Sequence, residues 1–154
     1  MRSFFNITYG QVFPMIILAL AALAAEPKPD PFTAALQKIL KESRDRFVDT
    51  KGARIELTPG PGLWFEARTF LPGAEYCQVD RGADSYRCEW SASSSRLRAK
   101  HGEIVTSAEK ALGPDWRKES RGSDVRFRSG SKSNPEVQVT IRDGKVWLIV
   151  LISS

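Results

Sequence analysis

Cys77 and Cys88 are the only cysteines in the chain, and two thiols support either a redox couple or a structural cross-link. Catalytic dithiols sit as C-x-x-C at a helix start. Here ten residues separate the two, in the segment EYCQVDRGADSYRCEWSA, Glu75 to Ala92. A turn centred on Gly82-Ala83 sets Cys77 opposite Cys88, Val79 opposite Tyr86 and Glu75 opposite Trp90. Strand side chains alternate between faces. One face then carries Cys77, Val79, Tyr86, Cys88 and Trp90, and the other carries Tyr76, Gln78, Asp80, Ser85, Arg87 and Glu89. A one-residue slip would scramble that division, so the pattern fixes the register. Directly opposed residues approach to Cα separations of about 4.5–5.5 Å, within reach of a disulfide. The pair is therefore read as a hairpin staple.

Other chemistry is sparse. His101, the one histidine, falls on the apolar side of a helical pattern with Leu97, Ile104 and Val105. No second histidine or free cysteine completes a metal site with it. G-x-S-x-G, H-E-x-x-H and an acidic calcium loop are all missing, and no cofactor motif is present. No catalytic, metal or cofactor residue is assigned. Glu66, between Phe65 and Ala67, reads as a solvent-facing residue of an alternating strand.

Two features stand above this background. From Arg96 to Lys132 there are ten basic and five acidic residues. Arg96 and Arg98 stand where a helix begins, against its dipole. Arg126 and Arg128 share one strand face. These four are the candidate patch for an acidic partner or an anionic envelope polymer. The second feature is Leu63-Trp64-Phe65. Adjacent strand residues face opposite ways, which makes Trp64 a candidate exposed contact.

The elements that must position these residues follow from periodicity and punctuation. Asp30-Pro31 is a helix start, a capping carboxylate before a proline. Phe32, Leu36, Ile39, Leu40 and Phe47 then recur at helical spacing to about Asp49, with Gly52 as the stop. Strands are expected at 54–58 and 63–71 around the turn Pro59-Gly60-Pro61-Gly62, and then comes the cysteine hairpin. Ser93, Ser94 and Ser95 offer caps for a second helix that ends at Gly113-Pro114. Two more hairpins are expected, 116–121 with 124–128 and 136–142 with 145–152. Asp143-Gly144 joins the last pair, a strong hairpin signal. The final strand, Val146 to Ile152, is apolar on both faces and belongs at the sheet centre. The order helix, four strands, helix, four strands suggests a tandem repeat. The expected fold is α+β, two helices on a largely antiparallel sheet of about six to eight strands.

Residues 1–25 read as a secretory signal peptide. Arg2 precedes an uncharged stretch from Val12 to Ala25 that ends in Ala22-Leu23-Ala24 or Leu23-Ala24-Ala25. Fourteen residues fall short of the about 20 a membrane helix needs. Residues 26–30 form a Pro-rich linker, and 31–154 form one domain. The chain has 23 Lys and Arg against 18 Asp and Glu, and loss of Arg2 leaves a mild positive excess. Export and the lack of a motif argue against nucleic acid as partner. The sequence favours a non-enzymatic binding or accessory domain of the periplasm, envelope or medium, whose partner is a protein or an envelope polymer. The competing expectation is a small secreted hydrolase with carboxylates in a helix–sheet cleft.

Overall fold

The computed structural model describes residues 28–55, 63–130 and 135–152. The expected signal peptide, the expected turn at 59–62 and most of the loop expected before Pro135 lie outside the described residues. Helix α1 spans Pro31–Ser43. Asp30 caps it, accepting from the Thr33 backbone N–H at 3.0 Å and the Thr33 hydroxyl at 2.9 Å. Its stripe of Phe32, Leu36 and Ile39 is buried. Each fully buried side chain of this kind contributes about 1.5–3 kcal/mol relative to exposure.

The helix stops short of the expected Asp49. Arg46 and Phe47 adopt left-handed φ angles of 52° and 57°. This pair turns the chain back, so Phe47 reaches the core from a turn and not from a helix face. Its ring is fully buried, 6.1 Å from that of Tyr86. The chain enters the sheet immediately afterwards. Strand β1 is Lys51–Arg54, so strand structure begins before the expected 54–58, of which residues 56–58 lie outside the described residues; its pairing with β2 is interrupted by an irregularity. Gly52 therefore belongs to a strand instead of stopping a helix. A Cβ there would meet the Glu66 carbonyl oxygen at 2.9 Å, so the close approach of β1 to β2 requires glycine.

Strand β2 is Trp64–Ala67, shorter than the expected 63–71, because the chain bends after Ala67 and drops Leu71 into the core. Strands β3 (Tyr76–Asp80) and β4 (Ser85–Ser91) form the hairpin in the expected register, with Cys77 opposite Cys88 and Val79 opposite Tyr86. Asp80 closes its turn by accepting from the backbone N–H groups of Gly82 and Ala83. Helix α2, Leu97–Leu112, has Arg96 at its N-cap without a side-chain cap bond. Ser93, Ser94 and Ser95 do not cap it; the Ser93 and Ser95 hydroxyls hydrogen-bond each other. The expected stop at Gly113 holds, with φ 76°.

Strands β5 (Trp116–Arg121), β6 (Asp124–Ser129), β7 (Glu136–Arg142) and β8 (Lys145–Leu151) complete the chain. Asp143 and Gly144, both at positive φ, make the two-residue turn before β8. All strands join one antiparallel sheet, in the order β1-β2-β3-β4-β8-β7-β6-β5. Strand β8 lies at its centre, as its two apolar faces require.

The order has a simple meaning. Each half of the chain is a helix followed by a four-stranded meander, and the last strands of the two meanders pair. Cys88 lies opposite Leu148, with Cys77 beyond Cys88 and Val139 beyond Leu148. The halves are thus related by an approximate two-fold axis at the β4–β8 boundary. Both helices pack on one face, where Cys77, Val79, Tyr86, Trp90, Val139 and Leu148 form the core with Leu36, Ile104 and Ala108. The alternate residues of every strand point away from the helices.

Candidate binding face

No helix among the described residues covers the second face of the sheet. Its centre is built by register. Arg87 on β4 lies between Gln78 on β3 and Ile149 on β8, directly opposite both. Trp64 on β2 and Trp147 on β8 flank it diagonally. The Arg87 guanidinium lies 3.8 Å from the Trp64 ring centroid and 5.3 Å from that of Trp147. With its amide oxygen toward Arg87, Gln78 accepts from the same guanidinium. Arg87 is half-buried, and this desolvation lowers its pKa, opposed by nearby Asp80 and Glu89. The neighbouring Tyr76 hydroxyl is raised, chiefly by burial and then by Glu66. Trp147 anchors its indole N–H on the Arg142 carbonyl at 3.3 Å.

The hairpin face expected to carry polar residues is therefore not simply solvated. Gln78, Asp80 and Ser85 are buried beneath the larger side chains. Gln138 and Thr140 on β7 are buried too, and both bond Asp124. Those bonds, Thr140 first, lower the Asp124 pKa and keep it ionised. Asp30 is held still further down by the Thr33 backbone N–H, with Lys110 at 2.9 Å. Two carboxylates held ionised in this way are poor general acids.

Arg126 and Arg128 share the uncovered face, and both are paired. Arg126 lies 3.8 Å from Asp124 and 3.8 Å from Glu136. Arg128 lies 2.6 Å from Glu136 and 3.4 Å from Glu119, and the Glu136 bond raises its pKa. Arg126 and Arg128, with Glu119, Arg121 and Asp124, line a cavity of about 130 Å³. Arg96 and Arg98 start α2, in the helical layer on the other side of the sheet. The structure does not bring the four arginines into one patch.

Trp64 faces the uncovered side, half-buried, while Phe65 faces the helices with Lys51 Nζ 4.6 Å from its ring. Glu66 is exposed. The Cys77–Cys88 disulfide has Cα atoms 4.1 Å apart and is fully buried on the helix side. The Tyr86 hydroxyl donates to the Thr69 carbonyl at 2.8 Å and lies 2.8 Å from Cys88 Sγ; burial raises its pKa. Enclosed in this way, the disulfide is a staple with no access for a redox partner. His101 Nε2 is buried without a hydrogen-bond partner. Among the described residues, no three His, Cys, Asp or Glu side chains form a metal-binding group.

Sequence reading named Trp64 but missed Arg87, Tyr76 and Trp147. The β3–β4 register already put Arg87 opposite Gln78. The missing signal was the β4–β8 pairing, which joins residues distant in sequence. No family model, no curated protein and no solved structure matches the chain.

Proposed function

We propose that this chain is an exported, non-enzymatic protein-binding domain that acts through the uncovered face of its sheet. One observation carries the reading: Trp64, Arg87 and Trp147 interleave at the middle of a sheet face that no described helix covers. Tyr76, Ile149 and Leu151 extend this centre, and Glu66, Glu89, Lys145 and Arg142 belong to its charged surroundings. Protein interfaces favour aromatic residues and arginine at the core and charge at the rim. The sandwiched guanidinium also loses little freedom on binding, which lowers the entropic cost.

Export is supported by the N-terminal leader pattern and by a disulfide, which persists in oxidising compartments. No described helix is long and apolar enough to cross a membrane. The test is a photo-crosslinking residue placed at Ile149 on the uncovered face, or at exposed Lys38 on α1, in the cells that make the protein. A discrete protein adduct from position 149 and none from 38 is expected. No adduct, or the same adducts from both positions, would overturn the reading.

A further inference from the structure

The uncovered face is electrically two-sided. On the first half, β1 to β4, Glu66, Asp80 and Glu89 outnumber Arg87. On the second half, β8 to β5, the basic residues exceed the acids, and exposed Arg117, Arg121 and Arg142 form no ion pair among the described residues. The boundary between the halves is the β4–β8 pair, through which the approximate two-fold axis of the chain passes normal to the sheet.

We propose that this face docks a second copy of the chain, face to face, about a two-fold axis parallel to the strands at the β4–β8 boundary. The proposal rests on the binding reading above and names its partner. Such a rotation lays the acidic half of each copy over the basic half of the other. It is isologous, so every favourable contact occurs twice. Strand β2 then lies over the partner's β6. Glu66, Gln78, Arg87, Ile149, Gln138 and Arg126 form one cross-strand row, with Glu66 and Arg126 equally far from the boundary. The pairing sets Glu66 of each copy against Arg126 of the other. It also lays β8 over the partner's β4, so that Ile149 of each copy covers Arg87 of the other.

Sedimentation of the disulfide-bonded protein at about 100 μM, where a micromolar dimer is largely formed, tests this. Wild type is expected to be dimeric. Glu66→Arg alone and Arg126→Glu alone each place like charges together twice, and each should weaken the dimer about tenfold or more. An equimolar mixture of the two variants should dimerise again, as should the double variant, because opposite charges then meet at both contacts. Circular dichroism of each variant separates lost docking from lost folding, and rescue in the mixture requires both to be folded. Monomeric wild type, or folded variants whose mixture shows no recovery, would overturn the proposal. A monomer that still yields an adduct of another mass from position 149 overturns the pairing and keeps the binding face.

Discussion

Arg87 and Trp64 sit on strands two apart in the sheet, with the guanidinium 3.8 Å from the indole centroid. The contact spans β3, which carries Gln78 beneath the guanidinium, and Trp147 closes the other side. A cation between two aromatic rings is worth about 0.5–2 kcal/mol depending on desolvation. It also fixes a flat, rigid centre on a surface otherwise made of long, mobile charged side chains.

Arg87→Ala should therefore cost about 1–2 kcal/mol of stability in urea denaturation. Trp64→Ala combined with Arg87→Ala should cost less than the two separately, with a coupling of about 0.5–1 kcal/mol. Strict additivity would show that the stacking carries no energy.

The disulfide should contribute about 2–3 kcal/mol, as expected for a loop of this length. Replacing Cys77 and Cys88 with alanine should lower stability by about that amount and leave the fold intact. Because both sulfurs are buried, reductant should open the bridge only under unfolding conditions. Mass spectrometry after reductant and thiol labelling checks this; rapid labelling of the folded protein would contradict the staple.

Two glycines should respond in opposite directions. At Gly52 a Cβ meets the Glu66 carbonyl oxygen at 2.9 Å, so Gly52→Ala should destabilise by about 1–3 kcal/mol. Gly102, inside α2, has nothing within 4 Å of its added Cβ, and Gly102→Ala should stabilise by about 0.5–1 kcal/mol. Thermal midpoints of the two variants decide the matter.

Acid should loosen the domain partly through Asp30. Its folded-state pKa lies below the ordinary 3.8, so its stabilising effect is complete above that value and fades as pH falls further. Asp30→Asn keeps a capping oxygen but removes the charge that faces Lys110. The variant should lose stability relative to wild type at neutral pH, and the difference should shrink below about pH 4. A difference independent of pH would show that the charge plays no part.

Much of the fold is legible in local residues. The alternation around Cys77 and Cys88 carries its register, Asp143-Gly144 marks its turn, and the two-faced apolar run after Lys145 demands a central strand. The failures have a common cause in long-range geometry. The end of α1 depends on Phe47 finding a core site that only a left-handed turn can reach. The candidate face depends on β4 meeting β8, which brings Trp147 beside an arginine some sixty residues earlier. No local pattern around Arg87 encodes that neighbour. The basic run from Arg96 to Lys132 misleads for the converse reason: residues close in sequence are parted into opposite layers.

The most direct measurement is the yield of the photo-adduct from position 149, compared between wild type and the Arg87→Ala/Trp147→Ala double variant. If the uncovered face is the binding surface, wild type gives a discrete adduct, and the double variant, still folded, gives about tenfold less. An adduct of undiminished yield from the folded double variant would contradict the account.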